Sequence, residues 1–230
     1  MSNVLVIAAH PDDETLGCGG TIAKHTAGGD TVFVLFLAEG VTARYQSAEI
    51  DNPKVAALSQ RRNENAIRAL ATLGVSNDAV TLSTRLSCRL DGEPQIDLVK
   101  DIERALHNVE PDIVYTHAAH DVNVDHRIAH QSTLAACRPR AGSQPRAIYA
   151  FEVLSSTEWN PAHPFAGTAF QDISPYIDAK VTALAAYEDE MREMPHPRSE
   201  AAVRGLATFR GVQAGVPFAE AFQVIRALNW

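Results

Sequence analysis

The chain has 230 residues, 46% of them hydrophobic, and a formal net charge of −8. That supports a sizeable core and argues against nucleic acid and anionic membrane surfaces as partners. No apolar run approaches the roughly 20 residues of a membrane helix, so no membrane partner is expected.

In chain order, "NVLVIAA" (3–9) reads as a buried strand and "LGCGGTIAKHTAGG" (16–29) as a helix. "TVFVLFLA" (31–38) is apolar almost throughout, the mark of a strand covered on both faces. A long helix over 53–73 stops at Gly74, and "DAVTLS" (78–83) is a short strand. A helix over 95–108, the strand "PDIVYTH" (111–117), a helix over 126–137 ended by Pro139 and the strand "RAIYAFEV" (146–153) follow. Residues 154–175 hold three prolines and read as an irregular excursion, and the last 55 or so residues read as mainly helical. This alternation predicts an α/β fold: a Rossmann-like, doubly wound, mostly parallel sheet flanked by helices, with a helical C-terminal segment. No linker interrupts it, so residues 1–230 are expected to be one domain. Cys18, Cys88 and Cys137 are odd in number and lack CxxC spacing. With no basic leader before the first strand, they fit reduced thiols in a cytoplasmic protein.

Two chemically loaded segments, "HPDDE" and "THAAHDVNVDH", directly follow strands. In doubly wound sheets ligands sit beyond the carboxyl ends of strands, so the two should meet. His10 and Asp13 flank a proline turn and can point to one side; His126, at a helix start, is the best third ligand. A His₂Asp set with a water in the fourth position favours Zn²⁺, about one per chain, which lowers the pKa of its water. Asp12, beside a ligand, is placed as general base. Capping of the following helix is the plain alternative for "DDET", but it explains neither His10 nor the second segment.

"AHPDDETLGCGGTIAKH" together with "NVDHRIAH" resembles the LmbE-like, or PIG-L, family of zinc-dependent deacetylases. "RRNENAIRALATLGV" (61–75) and "RGVQAGVPFAEAFQVIR" (210–226) are similar to further family segments. The resemblance implies hydrolysis of N-acetyl groups, usually on a glucosamine-type sugar. It makes His10, Asp13 and His126 the metal ligands and Asp12 the base. One position departs from it: many members carry HPDH where this chain has "NVDH", so Asn123 replaces a protonatable histidine. An amide can donate to an oxyanion but cannot act as an acid, so the acid comes from elsewhere or Asp12 acts twice.

Arg44 and His120 are candidate substrate contacts with Asn123, against plain loop roles. His117 is either a support for the site or a packed histidine, and Asp125 is expected to orient a ligand. Gly17, Gly19 and Gly20 lack GxGxxG spacing and read as tight packing. His196 in "EMPHPRS" is stiffened by prolines. It is the candidate acid, carried by a helix over about 177–192 towards its own site or that of a neighbouring subunit in a closed homo-oligomer. The expected function is zinc-dependent removal of acetyl from an N-acetylated amino sugar or conjugate. The alternatives are a metal-dependent hydratase of a small unsaturated dicarboxylate, drawing on Arg44, Arg85 and Arg198, and a metal-free binding protein.

Overall fold

The strand β1 (Asn3–Ala8) carries the alternation that organises the molecule. Val4, Val6 and Ala8 point to one face of the sheet, while Leu5 and Ile7 point to the other. In this computed structural model, which describes residues 1–139 and 145–228, both faces are covered. Helices α1 (Asp13–Ala27) and α2 (Pro53–Thr72) pack on the first face through Leu16, Ile22, Ala66 and Leu70. Helices α3 (Gln95–Val109) and α4 (Val124–Ala136) pack on the second through Leu98, Ile102 and Ala129. A strand buried on both faces must be apolar nearly throughout, as β1 and β2 (Thr31–Phe36) are.

β3 (Val80–Thr81), β4 (Ile113–His117) and β5 (Ala147–Phe151) complete the parallel part of the sheet. The seven-stranded order is β3-β2-β1-β4-β5-β7-β6, with β6 (Ala169–Asp172) and β7 (Ala219–Ala227) antiparallel at one edge. The chain winds outward from β1 in both directions, so the switch point lies between β1 and β4. At β1 the following helix packs very close to the sheet. A Cβ at Gly17 would lie 2.2 Å from the Phe151 ring, the tight packing expected of the glycine-rich turn.

Three sequence expectations need correction. The C-terminal segment does hold α5 (Ile177–Ala185) and α6 (Glu200–Ala214), but it ends in the nine-residue strand β7. Gly215, at φ +76°, stops α6, and Pro217 prevents its restart, so "AEAFQVIRA" is released to pair with β5. The excursion after β5 likewise contains β6, which hydrogen-bonds β7. The strand expected over 78–83 is only two residues long.

Candidate metal centre

The loop after β1 and the loop after β4 meet at the switch point, where doubly wound sheets hold ligands. His10, Asp13 and His126 offer ligand atoms that all lie within 4.8 Å of one another, and all three residues are buried. His10 Nδ1 and His126 Nε2 each stand 3.2 Å from Asp13 Oδ2. Each ring is anchored by its other nitrogen. His10 Nε2 is 2.9 Å from Asp125 Oδ2, and His126 Nδ1 is 3.1 Å from Asp121 Oδ2. With a metal bound, the outer carboxylate would take the proton-bearing nitrogen of each ring, and the nitrogen facing Asp13 would present its lone pair. Carboxylate-backed imidazoles are how proteins orient histidine ligands.

The electrostatics point the same way. Burial pulls down His10, but hydrogen bonds to Asp125 and Asp13 outweigh it and push it up to about 10. Burial also opposes charge on His126, yet Asp13 and Asp121 raise it to about 9. Burial raises Asp13, but His126 and His10 hold it well below its usual range. Such a pocket demands positive charge at the convergence of two lone pairs and a carboxylate, which a divalent cation satisfies without protons. Two imidazoles and one carboxylate fit zinc better than magnesium. A second set, His10, Cys88 and Asp125, also lies within 4.8 Å. There Asp125 is already engaged by the amides of Cys88 and Leu90 and by His10, so the first set is the better site.

Asp12 begins α1 at φ +115°, a left-handed conformation costly for a residue with a side chain. It makes no side-chain cap, so the capping alternative does not hold for it. Its amide donates to Glu14 Oε2 at 3.0 Å, and its Oδ2 accepts from Arg62 at 3.0 Å and Arg198 at 2.5 Å. Burial raises its carboxyl above the ordinary value, against the pull of Arg198 and Arg62. Arg62 also donates to Pro11 O at 2.8 Å, and Glu190 joins Arg44, Arg62 and Arg198.

The sequence candidates fare unequally. His196 is exposed, and its Nδ1 accepts from the Arg198 amide at 3.0 Å. It makes no hydrogen bond to the cluster of its own chain among the described residues. The helix expected to carry it ends at Ala185, and the loop returns to the site through Arg198 instead. Arg44 is half-exposed and paired with Glu190. His120 is exposed and stacks on His163 at 4.4 Å between centroids. Asn123 caps α4: its Oδ1 accepts from Asp125 N at 2.9 Å, so only its NH₂, 3.7 Å from Cys88 Sγ, faces elsewhere. His117 is fully buried, and its Nε2 accepts from Ala9 N at 2.8 Å, tying the ends of β1 and β4 together. Burial and the neighbouring His126 keep it neutral, as a packed histidine would be.

Sequence reading missed Asp121, Arg62 and Glu190, and it missed Ser156 and Thr157, whose hydroxyls donate to Asp121 Oδ2 at 2.7 and 2.6 Å. Asp121 lies in the quoted "THAAHDVNVDH", where its adjacency to a histidine-rich strand end was the available signal. The others come from distant segments and carried none.

A profile of the PIG-L family, described as GlcNAc-PI de-N-acetylase, matches residues 5–137. Along 96% of its length the chain is 23% identical to a 1D-myo-inositol 2-acetamido-2-deoxy-alpha-D-glucopyranoside deacetylase from Thermobifida fusca, 92% of which is covered. It is 27% identical to a diacetylchitobiose deacetylase from Thermococcus kodakarensis, over 98% of the chain and 84% of that protein. Among solved structures, GalB, the 4-carboxy-2-hydroxymuconate hydratase from Pseudomonas putida, superposes with a TM-score of 0.77 at 22% identity, covering 100% of this chain and 98% of that one. That likeness is one of fold.

Proposed function

Because the chain belongs to the PIG-L family, we propose that it is a zinc-dependent hydrolase that removes the acetyl group from an N-acetylated amino sugar or sugar conjugate. The observation that carries this reading is the convergence of His10, Asp13 and His126, each imidazole backed by a carboxylate, beside the buried Asp12. A zinc ion held by those three residues would supply Lewis acidity towards the amide carbonyl and a water. Asp12 then takes the proton of the attacking water. Every hydrogen bond described for its carboxylate lands on Oδ2, so Oδ1 is the oxygen for that proton. With Asn123 in the position of a protonatable side chain and His196 outside the cluster, Asp12 also returns the proton to the leaving nitrogen. The Asn123 NH₂ stands as a donor for the developing oxyanion. The products are acetate and a free amine.

The hydratase alternative asks for free cationic groups in the pocket. Arg44 and Arg198 are engaged by Glu190, and Arg198 also by Asp12, while Arg85 pairs with Asp101. That pairing supports an uncharged substrate. No helix among the described residues is long and apolar enough to cross a membrane.

The test is release of acetate and free amine from N-acetylglucosamine, N,N'-diacetylchitobiose and an inositol-linked N-acetylglucosaminide, with and without a chelator. Chelator-sensitive acetate release from at least one is expected. No release from any, with loss of enol absorbance from a 2-hydroxymuconate-type acid, would put the chain in the hydratase class. A role of His196 in a neighbouring subunit predicts that mixed His196→Ala and Asp12→Asn subunits recover activity.

A further inference from the structure

Three guanidiniums and two carboxylates meet on the wall of the centre described above. Glu190, only 5% exposed, takes Arg44 and Arg62 on Oε1, Arg62 at 2.5 Å, and Arg198 on Oε2 at 2.8 Å. Arg62 and Arg198 also hold Asp12. The half-exposed Arg44 and the buried Arg62 and Glu190 line a cavity of about 310 Å³ together with Arg192 and the acidic Glu188 and Asp189, while Arg198 and Asp12 are not part of its lining. A fan of guanidiniums opening on a cavity is how proteins grip a carboxylate or phosphate, through paired, charge-assisted hydrogen bonds. Here the chain supplies that carboxylate itself.

We infer that Glu190 is a specificity-determining residue that fills, with its own carboxylate, the place an anionic substrate group would take. The site beside Asp12 is thereby reserved for uncharged sugars. The charges show why. Arg44, Arg62 and Arg198 carry three positive charges, and Asp12 and Glu190 two negative ones. An incoming carboxylate would lie against that of Glu190, in a partly desolvated wall where like charges repel strongly. Arg44, the half-exposed cation of that wall, is already engaged by Glu190. Discrimination then comes from an installed repulsion rather than from a missing contact. Neutralising Glu190 leaves one carboxylate among three guanidiniums and frees Arg44, which has no other ion pair among the described residues. The inference rests on the deacetylase reading only for the word substrate; anion binding is read without turnover.

The probe is malonate, titrated by calorimetry into the zinc-loaded wild type, Glu190→Gln and Glu190→Gln/Arg44→Ala. Glu190→Gln is expected to bind malonate at least about 10-fold tighter than wild type, the equivalent of one charge-assisted hydrogen bond. The double variant is expected to lose that gain. Because burying an uncompensated guanidinium cluster can weaken folding, Glu190→Ala is read in parallel by thermal unfolding. Malonate should raise its midpoint and leave the midpoints of wild type and Glu190→Ala/Arg44→Ala unchanged. Equal malonate affinity in wild type and Glu190→Gln would overturn the inference. So would a gain that survives loss of Arg44, since the metal would then be the acceptor. Loss of acetate release in all proteins would sink the deacetylase reading while leaving the malonate result intact.

Discussion

At the scale of single residues, the centre depends on how few groups are left free to move. Asp12 is held at a left-handed φ of +115° by bonds from its own amide to Glu14 and from Arg62 and Arg198 to its carboxylate. Asp12→Asn keeps the shape and removes the base. The variant should bind zinc as wild type does and lose about 10²–10⁴-fold in kcat, checked by metal analysis beside acetate release. Loss of zinc in Asp12→Asn with retention in Asp13→Asn would exchange the two roles. Asp121 touches His126 rather than the ion position, and burial notwithstanding, His126, Thr157 and the Asn123 amide bring it down to about 2. Asp121→Asn should weaken zinc binding by about 10–100-fold, because the ring loses the partner that fixes its orientation. Competition with a chromogenic chelator measures that; unchanged affinity would remove Asp121 from the site.

At the scale of elements, the walls are loops fastened by single carboxylates. Glu39, just beyond β2, accepts from the amides of Val41 and Thr42, from the hydroxyls of Thr42 and Ser59, and from Ser87 N. It thus ties the turn before Arg44 to the one before Cys88. Burial raises its carboxyl, but these donors win and the net direction is downward. A carboxylate lowered on folding adds stability above its unfolded value, near 4.5, and that stability is lost as pH falls through the folded value. Glu39→Gln should cost about 1–3 kcal/mol at neutral pH, and the penalty should shrink as the solution is acidified below about pH 4.5. Urea melts across pH measure it; a penalty independent of pH would mean the carboxylate charge is not what holds the loops.

At the scale of the whole molecule, the centre joins both halves of the sheet. His10 and Asp13 come from the turn after β1 and the start of α1, and Asp121 and His126 from the loop after β4 and the first turn of α4. An ion bound there clamps the switch point, and free zinc at about a hundred times its Kd should add about 2.7 kcal/mol. Without it, raised histidines take over part of the clamp. A histidine raised on folding contributes stability fully below its unfolded value of about 6.5, and loses it as pH rises through the folded values, here about 9 and about 10. Chelator-treated protein should therefore lose thermal stability between pH 6.5 and 10, and zinc-loaded protein should not. Parallel melting curves of the two forms across that range make the comparison, and identical slopes would contradict it.

The sequence by itself determined the parallel sheet, because strands buried on both faces must be apolar and the helices between them must show a helical period. It also determined the core of the candidate centre. His10, Asp12 and Asp13 share one turn, and His126 opens a helix after a strand, so each can be read from local spacing. Asp125 was legible for the same reason, as a neighbour of a ligand in sequence. Only the tertiary structure decided the rest. Arg62 and Arg198 reach Asp12 across 50 and 186 residues, and Glu190 joins them from a turn with no motif. His196 and Arg198 stand two residues apart in one proline-rich loop, and the fold of that loop sends the guanidinium inward and leaves the imidazole outside. The closing strand was hidden too, since "AEAFQVIRA" pairs with β5 only because distant residues leave that sheet edge open. Local spacing fixes what neighbours along the chain can do; long-range charge pairing and strand edges depend on which segments the folded chain brings together.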